Sequence, residues 1–299
     1  MPRSKNVRSV ADRDFWSDTM RRVLALILAT VFALAFVAPT AAQAGPGQGD
    51  DKATRWYLAL GDSLAAGYQP GMGDDRTGGY VGGVLETLQD TAPKAKLRNI
   101  SCSGATTTSL MGTDRCDYAA GSQLAEGVEF LTAHRGKVDL VTIDIGANDV
   151  TPCASPVVDV TCALTALGTV ERNLTETLAQ LRAAAGPDTQ IVVLNYYNPF
   201  LTSWLTGPDG QQVAGLSSLL QTFLNAAVAR SAATVGADVA DVATAFHSTD
   251  TTLVSTAYGS IPTNVATICA WTWMCTKADI HANDAGYAIL AETVATHLE

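Results

Sequence analysis

A serine hydroxyl attacks a carbonyl only when a neighbouring base takes its proton, and neutral histidine suits that task near pH 7. Ser63 is placed for such chemistry. It follows Gly61 and Asp62, which close the apolar run Trp56 to Leu60, a stretch with the length and bulk of a buried strand. Glycine can end a strand in conformations closed to other residues, and open α/β sheets gather ligands at the carboxyl edge of their strands. Ser63 is therefore the candidate nucleophile, set against the plainer reading that Ser and Asp only start the next helix. Three more polar positions follow this lead. Gly104 comes soon after the short run Lys96 to Ile100, Asn148 follows the nearly continuous apolar run Val138 to Ile145, and His281 stands just before a helical pattern with Asp279 two positions earlier. A hydroxyl, a base, a carboxylate and amide donors are the parts that acyl transfer needs.

These residues fall in blocks: Gly61-Asp62-Ser63-Leu64, then Asn99 to Thr106, then Gly146-Ala147-Asn148-Asp149, then Asp279-Ile280-His281. Their identity and order resemble the GDSL family of lipases and esterases, also called SGNH hydrolases, from Leu60 to His281. The resemblance implies an α/β fold, a flavodoxin-like three-layer sandwich with a five-stranded parallel sheet. It implies Ser63 as nucleophile, His281 as general base, and an oxyanion hole built from the Ser63 amide, the Gly104 amide and the Asn148 side chain. It implies a secreted lipase or esterase working without a cofactor. One position departs from the commonest family pattern, which puts the acid three residues before the histidine, where this chain has Ala278. Asp279, or a main-chain carbonyl such as that of Ala278, then orients His281. Two other readings stay open: a carbohydrate deacetylase of the same family, and a non-catalytic wall-associated binding protein. No Gly-x-Ser-x-Gly stretch occurs, so the nucleophile elbow of the α/β-hydrolase fold is not present.

The elements that must position these groups alternate between strand and helix patterns, as a parallel sheet requires. Gly67 to Gly79 reads as a mobile glycine-rich loop, and Tyr80 to Gln89 as a helix through Val81, Val84, Leu85 and Leu88. Gln123 to His134 is a second helix, with His134 as a charge partner for its C-terminus. Ala163 to Ala185 is a long covering helix stopped by Gly186-Pro187, and Leu216 to Val235 another stopped by Gly236. Gln190 to Tyr196 and Ala237 to Val242 complete the strands. Asn198 to Gly207 reads as a loop whose Phe200, Leu201, Trp204 and Leu205 line an acyl pocket or pack on the core. Asn264 to Lys277 also reads as a loop, and the last helix aligns Tyr287, Leu290, Val294 and Leu298.

Residues 1–44 read as an N-terminal extension and secretory signal peptide: Arg21-Arg22, an apolar run from Val23 to Val37, and the cleavage pattern Ala42-Gln43-Ala44. The initiator in this reading is Met1 or Met20. The apolar run is shorter than the ~20 residues a bilayer crossing needs. Residues 45–54 follow as a disordered lead-in and 55–299 as one hydrolase domain. The formal net charge is -10, and it grows more negative without residues 1–44, which hold more basic than acidic groups. An acidic surface lacks the basic face that nucleic acid requires. The expected partner is a small-molecule or lipid ester, with transient contact at a lipid interface, and the expected state is a monomer. Six cysteines allow 15 pairings, but each has a near neighbour in sequence, so the expected bridges are Cys102 to Cys116, Cys153 to Cys162 and Cys269 to Cys275. A zinc site is the competing use, and the chain has no Cys-x-x-Cys or His-Glu-x-x-His pair to support it.

Overall fold

Five strands pair into one parallel sheet: β1 (Trp56–Gly61), β2 (Lys96–Asn99), β3 (Val138–Asp144), β4 (Gln190–Leu194) and β5 (Asp238–Ala240), in the spatial order β2-β1-β3-β4-β5. The computed structural model describes residues 54–112, 115–154 and 159–298. The expected signal peptide, and all but the last residue of the expected lead-in, lie outside the described residues.

Alternation along β1 explains the layers. Tyr57 and Ala59 face one side of the sheet, Leu58 and Leu60 the other, and all four are fully buried. On the first side lie α1 (Gly79–Thr91), α5 (Thr263–Trp271) and α6 (Asp284–Ala295), through Tyr80, Val81, Val84, Val265, Ile268, Tyr287, Leu290 and Val294. On the second lie α2 (Gln123–Ala133), α3 (Val160–Ala185) and α4 (Pro208–Ala233), through Leu124, Leu131, Leu174, Leu178, Leu181 and Val228. A sheet covered on both faces explains why its inner strands read as continuous apolar runs and not as alternation. The strand order is that of flavodoxin-like folds, whose order reverses between β1 and β3 and leaves a crevice at their carboxyl ends. Gly61 pairs with Asp144, so those two strands end level at the crevice.

Helix starts follow local chemistry. Ser122 accepts from Ala125 N to begin α2, Asp159 from Cys162 N to begin α3, and Asn283 from Gly286 N to begin α6. His134 does cap α2, its ring nitrogen Nδ1 lying 2.9 Å from the Phe130 carbonyl.

Several segments depart from the sequence reading. Residues Pro199–Thr206 form a 3-10 helix, begun by Asn198, whose side chain accepts from Phe200 N. α4 starts at Pro208, two turns before the expected Leu216; its early part buries Gly210 and Ala214 while Val213 and Leu216 stay partly exposed, so no apolar stripe marks it. Asn264 to Lys277 holds α5 and a helical turn at Met274–Lys277. α5 buries Asn264 and Thr267 beside Val265 and Ile268, which erases the helical period from the sequence. A hairpin of β6 (Leu253–Thr256) and β7 (Gly259–Pro262) precedes it. The glycine-rich loop is laced internally: Gln69 and Gly73 exchange both backbone hydrogen bonds at 2.9 Å, and the Asp75 carboxylate accepts from Thr77 N and Gly78 N.

All six cysteines are paired, Cys102–Cys116, Cys153–Cys162 and Cys269–Cys275, as expected from their spacing. Among the described residues, no helix is long and apolar enough to cross a membrane.

Candidate active site

β1 delivers Ser63 to the crevice because the chain must leave the sheet at Gly61. That glycine has φ +135°, and a Cβ there would run into the Asp144 carbonyl oxygen and lie 2.8 Å from Asp144 Cγ. The turn beyond is clamped from several elements. Gln123 of α2 accepts from Gly61 N at 2.6 Å and donates to Gly61 O at 3.1 Å. Asp62, 2% exposed, accepts from Leu64 N at 3.0 Å and from the Tyr196 hydroxyl at 2.9 Å. Burial raises the Asp62 pKa, while its hydrogen bonds and the charge of His281 act the other way. Ser63 itself is 8% exposed, so its hydroxyl meets little bulk water.

The Ser63 hydroxyl lies 2.8 Å from His281 Nε2, and His281 Nδ1 lies 2.7 Å from Asp279 Oδ1. Asp279 reaches the ring from two residues away because this segment is a turn. The helical turn at Met274–Lys277 ends in Ala278 at φ +51°, a left-handed conformation uncommon outside glycine. Asp279 then accepts from the His281 backbone N–H at 3.0 Å, folding its carboxylate back over its own chain. The same oxygen takes both contacts. His281 is further held by Trp273 N donating to its carbonyl at 2.9 Å, by the Tyr197 hydroxyl donating to Ile280 O at 2.8 Å, and by the Tyr68 ring at a centroid distance of 4.4 Å.

The loops after β2 and β3 meet beside this line. The Asn148 side chain donates to Ala105 O at 2.9 Å, and Asp149 accepts from Thr107 N at 2.8 Å and from its hydroxyl at 2.6 Å. Asp149 thus fixes one loop against the other. Gly104, at φ +75°, leaves room that a Cβ would take from the Arg115 guanidinium, and Arg115 donates to Ser103 O at 2.9 Å. Neither the Ser63 N–H nor the Gly104 N–H donates a hydrogen bond among the described residues. An uncommitted amide on the serine itself is the kind of donor a developing oxyanion requires.

An apolar pocket opens at Ser63 and His281, walled by Leu64, Val150, Tyr197, Phe200, Leu220 and Leu224. Of the four large apolar residues expected near 200, Phe200 alone reaches the pocket; Leu201 is buried, and Trp204 and Leu205 pack on the core. Sequence reasoning missed the α4 wall, since Leu220 and Leu224 sit within an ordinary helix stripe. It also missed Gln123, Tyr196 and Asp144. Of these only Asp144 left a visible sign, as the carboxylate inside an otherwise apolar strand end.

The GDSL-like lipase/acylhydrolase family profile matches residues 59–289. Among solved structures, a phospholipase A1 from Streptomyces albidoflavus superposes with a TM-score of 0.50 at 22% identity, covering 82% of this chain and 99% of that one. A catalytic mutant of an acetylxylan esterase from Geobacillus stearothermophilus superposes with a TM-score of 0.50 at 19% identity, covering 82% and 94%. Among curated proteins nothing matches. At such identities the structural likeness speaks for the fold alone, whereas the profile spans most of the sheet and both ends of the Ser63–His281 line; this chain belongs to the GDSL-like lipase/acylhydrolase family.

Proposed function

We propose that this chain is an exported serine hydrolase of carboxylic esters that works through an acyl-enzyme on Ser63. The observation that carries the reading is the unbroken line from Asp279 through His281 to Ser63, with steps of 2.7 and 2.8 Å. In this mechanism Ser63 Oγ attacks the ester carbon as His281 Nε2 takes its proton, and Asp279 steadies the resulting imidazolium from Nδ1. The Ser63 and Gly104 amides and the Asn148 side chain stabilise the carbonyl oxygen while it carries charge. The tetrahedral intermediate collapses as the C–O bond breaks and His281 returns the proton to the departing alcohol. Water, activated by the same histidine, then releases the acid and restores Ser63. Every group comes from one chain, so a monomer suffices.

Three disulfides support an oxidising destination. The apolar walls at Leu64, Phe200, Leu220 and Leu224 favour an acyl chain longer than acetyl, and so a lipase or esterase over a glycan deacetylase. Replacing Ser63 by Ala is expected to abolish ester hydrolysis and labelling by a fluorophosphonate probe with thermal unfolding nearly unchanged. Labelling that survived in that variant would remove Ser63 from the role. Rates across p-nitrophenyl esters from acetyl upward test the pocket: a maximum at acetyl would favour the deacetylase.

A further inference from the structure

Beneath the serine turn lies a second acid that the mechanism above does not use. Asp144, at the end of β3, is fully buried. Its Oδ2 accepts from Asp62 N at 3.2 Å and from Ala65 N at 3.4 Å, and its Oδ1 receives the Tyr80 hydroxyl at 2.5 Å. Its own carbonyl accepts from Asp62 N at 3.0 Å, continuing the β1–β3 ladder. The side chain therefore grips both ends of the turn that carries Ser63.

The Asp144 and Asp62 carboxyls are buried neighbours, since Asp144 takes the backbone N–H of Asp62 itself while the Asp62 side chain turns to Leu64 N and the Tyr196 hydroxyl. The groups facing the pair are Tyr57 from β1, Tyr80 from α1, Asp149 after β3, Tyr196 and Tyr197 after β4, His281 from its loop and Tyr287 from α6. None of them is a lysine or arginine. Two neighbouring carboxyls in a buried site without a fixed cation do not both stay ionised, so one of them keeps a proton. Asp62 has the Leu64 N–H and the Tyr196 hydroxyl as donors and lies within range of the His281 charge, which makes it the partner suited to be the anion. Burial, and then the charge of Asp62, push the Asp144 carboxyl well above the usual carboxylate range.

We propose that Asp144 is a positioning residue for the nucleophile, a neutral carboxylic acid that donates its proton to Asp62 while its second oxygen receives the N–H groups of Asp62 and Ala65. The turn is then held from both flanks with one net negative charge beneath it. Were both acids ionised, their repulsion would push Asp62, and Ser63 with it, off the His281 line. The proposal rests on Ser63 being the nucleophile, and its test keeps the two apart.

Asp144→Asn preserves a neutral side chain with one acceptor and one donor, whereas Asp144→Leu keeps the bulk and removes both. With active sites counted by fluorophosphonate labelling, the Asn variant is expected to keep kcat within about threefold of wild type, since its amide oxygen still receives the Asp62 and Ala65 N–H groups and its own N–H groups reach Asp62 and the Tyr80 oxygen, which turns from donor to acceptor. The Leu variant is expected to lose about 10²-fold in kcat with little change in KM, as a misplaced nucleophile does. Infrared difference spectra between wild type and Asp144→Asn at neutral pH read the proton directly, independent of activity: the band lost should be that of a protonated carboxyl. Three results would overturn the proposal: an Asn variant as damaged as the Leu variant, a folded Leu variant with wild-type kcat, or loss of a carboxylate band in place of the acid band. If the Leu variant does not fold, the Asn variant and the infrared band still decide, because a folded Asn enzyme down by about 10²-fold contradicts the neutral acid. Wild-type protein that takes up no fluorophosphonate would instead remove the serine hydrolase reading, and the infrared result would stand by itself.

Discussion

The hydrogen bonds that clamp the Ser63 turn reach across the fold, from Gln123, Asp144 and Tyr196, which stand 62, 82 and 134 residues away from their partners. Around His281 most of the holding contacts are local. Asp279, Trp273, the Thr272–Ala282 bridge and the Cys269–Cys275 disulfide all lie within a dozen residues of the histidine, with the Tyr197 hydroxyl and the Tyr68 ring as long-range exceptions. The serine is thus fixed by the sheet and the histidine by a self-stapled loop that docks through α6. The difference teaches where each half of the site is vulnerable. Side-chain changes within the loop that leave its disulfide intact should alter activity with little effect on global stability, and changes beneath the serine should couple the two.

The sharpest test of the histidine side is Asp279→Asn. The analogous change in the serine-protease triad costs about 10⁴ in kcat, and a loss of that order is expected here with the melting temperature almost unmoved. A folded variant that retained more than about a tenth of wild-type turnover, less than ~1.4 kcal/mol of barrier, would hand the orienting role to a main-chain carbonyl. Next in size is Asn148→Ala, read by kcat at saturating ester. Loss of one oxyanion donor should cost about 10²–10³-fold. The variant also gives up the bond to Ala105 O, so a modest fall in melting temperature should accompany it.

Two of the disulfides, Cys102–Cys116 and Cys269–Cys275, break the comparison differently. Chain-entropy arguments give roughly 3 kcal/mol for the longer Cys102–Cys116 loop and roughly 2 kcal/mol for the shorter Cys269–Cys275 loop. Double Ser variants, compared by denaturant unfolding and by kcat, should therefore rank oppositely: the first loses more stability, the second more activity, because only the second staples the histidine loop. Equal effects on kcat would mean the histidine loop is held mainly by its docking helix.

The smallest expected effect is a pH dependence of stability. Asp144 has a folded pKa raised by burial and by Asp62. The native state then binds more protons than the unfolded one, so this group's contribution is full below an unfolded value of about 3.9 and is lost as pH rises toward the raised folded value. Asp144→Asn should flatten that part of the stability–pH curve, measured by urea unfolding from pH 4 upward. A curve that kept its slope in the Asn variant would place the titration elsewhere.

How much of this was legible beforehand depends on range. The inner strands β1, β3 and β4 read directly, because burial on both faces makes them continuous apolar runs with glycine or polar ends, whereas the edge strands β2 and β5 are short and partly exposed. α3 read equally well through Leu167, Val170, Leu174, Leu178 and Leu181, all buried on one face. α5 did not, since Asn264 and Thr267 are buried through their surroundings and leave no apolar stripe. The pocket wall at Leu220 and Leu224 was hidden for another reason: facing a cavity or a core calls for the same leucine.

Sequence by itself determined the chemistry on offer: a serine after a buried strand, a histidine before a docking helix, amides and an asparagine at neighbouring strand ends, and cysteines close enough to pair in order. Local physics sufficed there, because strand ends, caps and short disulfide loops depend on residues near one another in the chain. Tertiary structure alone decided what orients His281 and what lies under Ser63. The first turned on Ala278 adopting a left-handed conformation that its sequence does not announce. The second turned on the level pairing of Gly61 with Asp144, which set one buried acid against another across two strands.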